Sequence, residues 1–424
     1  MITHKQIDFH GWAAYEINNG LIRLVAVPDI GGRVMAYDLG TYPYLYVDRQ
    51  LAGKLFTAEE NQGDGSIGAW KNYGGDKTWP SPQGWDNDEQ WAGPPDCILD
   101  TGRYHLDEFT AADESGTIKM TSPAGSPTGV QITRQFTIRP DSSRVHLDLS
   151  FHNISQRKIR WSIWDVVQLA AERITADGRL GPEMECTVTA PLNAHSKFDS
   201  GFHVMFGDSQ NPQWHSDKQT GLFYGDYRWE IGKVGLDSRG GWAAFVNKAS
   251  QQAFTARYTP YEGVEYPDDG SAVEFWTVGR GQVANLDYEK SEIYLMEVEI
   301  LSPFQHIEPG QTVSFQIEWG ACRCPGPIVD VTEGGCVGRK LTAKRSHKQI
   351  RVCGEFGVFD KGQLQLDWID LSGMAIGSFD VGIVSPVDVV FLDEILEAPD
   401  NAARVRLVVQ HPPAQYMLAE AEIS

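Results

Sequence analysis

Two carboxylates one residue apart, Glu297 and Glu299, are the first place where residue type and spacing suggest chemistry. In Ile293-Tyr-Leu-Met-Glu-Val-Glu-Ile-Leu301 the alternation predicts a strand on which Tyr294, Met296, Val298 and Ile300 point one way. Glu297 and Glu299 then share the other face with Ile293, Leu295 and Leu301. If that face lines a cleft, burial and mutual repulsion would raise the pKa of at least one carboxyl and suit it to general acid/base work. Facing open solvent, both would be ordinary surface acids.

A second concentration of reactive and flat side chains lies at Asn72-Tyr-Gly-Gly-Asp-Lys-Thr-Trp-Pro-Ser-Pro-Gln-Gly-Trp-Asp-Asn-Asp-Glu-Gln-Trp91. Trp79, Trp85 and Trp91 offer more apolar area than a solvated connection needs. Aromatic faces beside carboxylates and amides suit sugars, which stack through C–H groups and hydrogen-bond through hydroxyls. A satellite core pinned by its own tryptophans is the alternative. Asn72, Asp76, Lys77, Trp79, Gln83 and Trp85 are candidate ligand contacts here, with Lys77 also a candidate catalytic group. Tyr258-Thr-Pro-Tyr-Glu-Gly-Val-Glu-Tyr-Pro-Asp-Asp-Gly270 adds Tyr266, Asp268 and Asp269. Neither this loop nor Asp86-Asn-Asp-Glu89 has the ligand spacing of a calcium loop, so no metal is expected. Arg33 could hold a carboxylate through its planar fork, or pair with Asp29 or Asp38 beside the turn. His146 and His152 share a strand face with Asp148, which reads as a solvated face.

The elements that must position these groups are strands. Period-two alternation bounded by Gly, Pro, Asn and Asp recurs at Leu21–Val27, Arg33–Tyr37, Gly129–Ile138, Arg144–His152, Arg160–Gln168, Gly241–Val246, Ala272–Thr277, Ile293–Leu301 and Thr312–Trp319. Almost no segment is a convincing amphipathic helix. An all-β chain follows, with a large sandwich of two curved sheets over residues 1–322. Cys322-Arg-Cys-Pro-Gly-Pro327 reads as a boundary. Runs at Gln349–Cys353, Gln363–Trp368, Arg404–Val409 and Tyr416–Ile423 predict a C-terminal immunoglobulin-like sandwich over 327–424, with brief helical character around Phe391–Glu397. Packing or contact between copies in a homo-oligomer is the expected role of this tail.

Composition narrows the partners. The 424 residues are 41% hydrophobic, enough for substantial cores, and carry a formal charge of -21. A nucleic-acid or anionic-membrane surface needs a dense basic face, so neither partner is expected. No apolar run reaches membrane-spanning length, and Met1 to Tyr15 lacks a secretory pattern. The chain reads as cytoplasmic, although a chain whose signal has been removed would read the same. The six cysteines are expected as free thiols, because Cys322-x-Cys324 with Cys336 and Cys353 lacks paired C-x2-C knuckles. No phosphate loop, nucleophile elbow or His-Glu-x-x-His helix is present, and no cofactor is expected.

Asn19-Gly-Leu-Ile-Arg-Leu-Val-Ala-Val-Pro-Asp-Ile-Gly-Gly-Arg-Val-Met-Ala-Tyr37 resembles the opening of galactose mutarotase-like proteins, in which a strand runs into a Gly-Gly turn and back. Glu297-Val-Glu-Ile-Leu-Ser-Pro303, then Ile307-Glu-Pro-Gly-Gln311 and a strand to Trp319, resembles that superfamily's late glutamate strand and Pro-Gly turn. With Asn72–Gln83 and Tyr266-Pro-Asp-Asp-Gly270, the pattern is most similar to a bacterial branch, over about residues 8–322. The resemblance implies a β-supersandwich whose concave face binds carbohydrate. It also implies a base at Glu297 or Glu299. The family's acid is a histidine, and where the family has a His-Tyr-Phe-Asn run this chain has Trp164-Asp165. That histidine is therefore not carried over, and Asp165, Lys77, Lys233 or His152 is the candidate acid. Trp164 and Lys233 join the candidate ligand contacts. The leading expectation is a sugar isomerase or epimerase using carboxylate acid/base chemistry. The alternatives are a uronate lyase, with attention to Arg33, Lys77, Lys233 and Tyr266, and a non-catalytic glycan-binding protein.

Overall fold

The computed structural model describes residues 1–62, 70–83, 96–283, 286–287 and 292–424. Strands dominate it, and two large antiparallel sheets carry the first three quarters of the chain. The twelve-stranded sheet runs in space from Thr3–Phe9 through Trp12–Asn18, Ile22–Val27, Arg33–Leu39, Asp76–Ser81, Ile159–Ala170, Leu295–Leu301, Val273–Val278 and Gly232–Leu236 to His203–Phe206. The ten-stranded sheet has Gln252–Tyr258, Thr312–Arg323, Val145–Asn153 and Val130–Ile138 at its centre. Side chains at alternate positions of both sheets meet in one core, with Val34, Ile163, Val167, Val298 and Ile300 from the first against Phe136, Leu147, Phe254 and Ile317 from the second.

The two sheets differ in what covers their outer faces. Val130–Ile138 and Val145–Asn153 alternate strictly between buried and half-buried residues, as expected of a sheet with one solvated face. Leu295–Leu301 and Asp76–Ser81 are buried at every position. Their second face therefore lies under other parts of the chain, and that is the face carrying Glu297 and Glu299.

The expected Gly-Gly hairpin forms, with Ile22–Val27 paired to Arg33–Leu39. At its turn Gly31 has φ 78°, and a Cβ there would lie 1.9 Å from the Asp100 carbonyl oxygen. Only glycine lets the turn sit against the short helix Cys97–Thr101. That helix was not anticipated; its start is capped by Asp96, which accepts hydrogen bonds from the Ile98 and Leu99 amides.

Residues beyond 329 form two four-stranded sheets around a core that includes Ile350, Phe356, Leu366, Trp368, Leu407 and Leu418. The expected helical stretch at Phe391–Glu397 is instead the strand Val390–Glu397, paired along its length with Gln349–Val358. Helix-forming residues yield here to that pairing, which buries Leu392 and Leu396. The cysteines are free; Cys322, Cys324 and Cys336 share a small apolar cluster with Ile328 and Phe359. Among the described residues no helix is long and apolar enough to cross a membrane.

Candidate functional site

Five neighbouring strands of the twelve-stranded sheet build the site. In the pairing Trp164 lies opposite Trp79, Val166 opposite both Lys77 and Glu299, and Gln168 opposite Glu297. Glu297 in turn lies opposite Trp276, Glu299 opposite Glu274, and Lys233 opposite Trp276. Because directly paired residues share a face, Lys77, Trp79, Trp164, Gln168, Lys233, Glu274, Glu297 and Glu299 all project to one side.

Glu297 accepts hydrogen bonds from Lys77 Nζ at 3.2 Å and Gln168 Nε2 at 2.5 Å. Burial pushes its pKa up, but the Lys77 charge, the Gln168 bond and Lys233 outweigh that, so the carboxyl titrates below its ordinary range and stays ionised. Its side chain retains 12% exposure, whereas that of Glu299 has none. Lys77 is displaced downward from 10.5, chiefly by burial, despite its carboxylate partner. A lysine so placed gives up its proton more readily than one in water. Its ammonium also lies 4.9 Å from the ring centre of Trp79 and 5.8 Å from that of Trp70.

Glu299 accepts from Trp164 Nε1 at 2.8 Å and from Lys233 Nζ at 2.9 Å. Burial raises its pKa to about 7, with Lys233 opposing and Glu297 adding to the rise. Lys233 also lies 2.7 Å from Glu274, whose carboxyl burial pushes well up, with Asp268 and Glu299 adding to the rise and Lys233 opposing it. Trp79 packs edge-on against Trp164 and Trp70, with centroids 5.5 and 5.6 Å apart, forming an indole wall beside the two lysines. Asp268 closes the far side by accepting from Ser81 Oγ at 2.9 Å. It adopts φ 48° and its neighbour Asp269 φ 57°, left-handed conformations that aspartate tolerates better than most residues.

Other expected site residues fall elsewhere. Asp76 and Asp165 project from the opposite face into the intersheet core, where Arg134 reaches across from the second sheet to pair with Asp76 and lies 4.0 Å from Asp165. Both carboxyls are wholly buried, and no ligand on the outer face could touch them. Burial raises Asp165 well above the ordinary range, with the Asp76 charge adding to the rise. Arg33 is also wholly buried and pairs with Asp100, not with Asp29 or Asp38, which bind Arg103 and Arg23. Asn72 is half-buried and accepts the Gly74 amide in a turn. Gln83 is half-buried just beyond the Asp76–Ser81 strand. Tyr266 is buried beneath Arg239, its hydroxyl accepting the Tyr261 amide, and Asp269 is exposed 3.6 Å from Lys197. His152 sits on the second sheet beside Thr312. Trp85, Trp91 and the acids between them lie outside the described residues.

Gln168, Glu274 and Trp70 were not singled out by the sequence. For the first two the signal was present: Gln168 is four residues from Trp164 on one strand, and Glu274 alternates with Trp276, so even spacing puts each on the tryptophan face.

The chain belongs to the family described as a domain of unknown function, DUF4380, which matches residues 13–322. No curated protein matches the chain. Among similar solved structures is a galactose mutarotase-like protein from Lactobacillus casei, at 13% identity over 73% of this chain and 99% of that one, with a TM-score of 0.43. Another galactose mutarotase-like protein, from Clostridium acetobutylicum, is 10% identical over 76% and 99% of the two chains, with a TM-score of 0.45. A galactose mutarotase related enzyme from Lactobacillus acidophilus is 10% identical over 72% and 96%, with a TM-score of 0.41.

Proposed function

We propose that this protein is an enzyme that isomerises or epimerises a sugar, with Glu297 as the base and Lys77 as the acid. One observation carries the reading: an ionised carboxylate and a lysine of lowered pKa, 3.2 Å apart, sit on the same sheet face as the indoles of Trp79 and Trp164. A base must be deprotonated and an acid protonated in the same resting enzyme; the lowered pKa of Glu297 favours the first condition, and the Glu297 charge beside Lys77 works against the burial that lowers the lysine. Glu297 takes a proton from a sugar hydroxyl or carbon, and Lys77 delivers one to the ring or carbonyl oxygen as it gains charge. Trp79 and Trp164 are almost wholly buried and form an apolar floor behind the pair. Gln168 holds Glu297 in place and the Lys233 charge helps keep it ionised, with Glu299 a reservoir for one proton near pH 7.

The test is NMR of the full chain with free hexoses, pentoses, uronates and short oligosaccharides, following anomeric exchange, uptake of solvent deuterium and new alkene protons together. Anomeric exchange or deuterium uptake above the uncatalysed rate is the expected result. Alkene signals would replace this reading with elimination, and line broadening without conversion would reduce it to binding.

A further inference from the structure

A groove of 970 Å³ runs along the outside of the site and shares a wall with it. Pro82 and Asp268 line it, and Asp268 is also the residue that Ser81 binds at the edge of the carboxylate cluster. Within a chain of net charge -21, this groove has the opposite balance, with five basic side chains against three acidic ones. The basic groups are Arg157, Lys158, Arg160, Lys197 and Arg239.

Two of these arginines are held flat on aromatic rings. The Arg160 guanidinium lies 3.5 Å from the ring centre of Phe304, and that of Arg239 lies 4.3 Å from the ring centre of Tyr266. A guanidinium laid on a ring keeps its N–H edge pointing sideways, so less freedom is lost when it grips a planar anion. Among the described residues Arg239 and Arg157 have no carboxylate within salt-bridge distance; Arg239 donates to the Ser238 carbonyl and Arg157 to that of Pro127. Arg160 does have a partner, Glu265 at 2.6 Å, but that side chain is 73% exposed on a loop and can leave for solvent at small cost. The Lys197–Asp269 pair is longer still, at 3.6 Å, and exposed.

We infer that this groove is a subsite for the carboxylate of an acidic sugar unit, so that the substrate is a uronate-containing oligosaccharide whose neighbouring unit occupies the Glu297–Lys77 site. The inference rests on the sugar-active reading of that site and adds the class of substrate. A carboxylate matches the arginine fork in two parallel hydrogen bonds, and a chain of sugars can follow the wall that Asp268 makes between groove and site. Losing one charge-assisted hydrogen bond of this kind weakens binding by about 10- to 100-fold.

The experiment is calorimetric titration of the full chain with trimers of galacturonate, mannuronate and glucuronate, each beside its methyl ester, which keeps the shape and removes the charge. Wild-type protein should bind at least one acid trimer about tenfold or more tightly than its ester, and raising the salt should narrow the difference. Arg160→Gln with Arg239→Gln should abolish that preference, with circular dichroism and melting temperature showing that the variant is folded. Glu297→Gln should keep it, because the groove does not depend on turnover. Equal affinity of the wild type for acid and ester in all three pairs, or a preference that survives in the folded double variant, would overturn the inference. Turnover of neutral sugars with no preference for acids would overturn the groove alone. Preference for acids without turnover of any sugar would leave the groove and remove the isomerase.

Discussion

The two faces of the strands Asp76–Ser81 and Ile159–Ala170 are built from alternating residues of the same few turns of sequence, yet they do opposite things. On the inner face Asp76, Thr78 and Asp165 meet Arg134, which arrives from the other sheet and closes the cluster completely. On the outer face Lys77, Trp79, Trp164 and Gln168 meet Glu297 and Glu299, and this cluster is covered but keeps a narrow edge, with 12% of the Glu297 side chain and 9% of that of Lys233 exposed. Both hold carboxylates and cations in low dielectric. What separates them is access: a closed cluster fixes the sheets against each other, whereas one with an edge can exchange protons with something bound there.

The comparison breaks first at Glu297. Glu297→Gln should lower turnover per folded molecule by about 10²- to 10⁴-fold, the usual worth of a general base, and should also lower the melting temperature, because it leaves the buried Lys77 without its carboxylate. On the inner face Arg134→Met should cost stability alone. It leaves two buried carboxylates without their cation, so chemical denaturation should show a loss of about 3–5 kcal/mol, with turnover per folded molecule retained. Glu299→Gln sharpens the outer face through pH. The folded pKa of about 7 lies above the ordinary 4.5, so the stability this carboxyl contributes is fully present below pH 4.5 and is lost as pH rises to 7. The difference in unfolding free energy between wild type and Glu299→Gln should therefore shift against wild type by a few kcal/mol across that window and then level off. The smallest effect belongs to an exposed pair. Asp269→Asn, which removes the partner of Lys197, should change thermal stability by no more than about 0.5 kcal/mol.

Much of the fold was legible because strands with one apolar side announce themselves by alternation. Arg33–Tyr37, Gly129–Ile138 and Arg144–His152 lie close to the strands observed, and the same rule puts Glu297 and Glu299 on one face. The Phe391–Glu397 segment shows the limit of local reading, since its residues favour helix and only pairing with Gln349–Val358 makes it a strand. The site was legible in its types more than in its sides. Asp76 beside Lys77, and Trp164 beside Asp165, looked like joint contributors because sequence adjacency hides a reversal of direction at every residue. Arg134 gave no signal, because its partners lie 58 and 31 positions away on another sheet and only the stacking of sheets brings them together. Arg33 was misjudged for a related reason: its partner Asp100 sits on a five-residue helix too short to show a period.

The most direct test is to compare sugar turnover in Glu297→Gln and Asp165→Asn by solvent-deuterium NMR, using the substrate found active with wild type. Asp165 faces the intersheet core, where burial and the Asp76 charge push its pKa well up and favour the neutral form that asparagine mimics, so Asp165→Asn should keep turnover per folded molecule, whereas Glu297→Gln should fall by at least about a hundredfold. If the folded Asp165→Asn variant loses turnover and Glu297→Gln keeps it, the assignment of chemistry to the outer face is wrong.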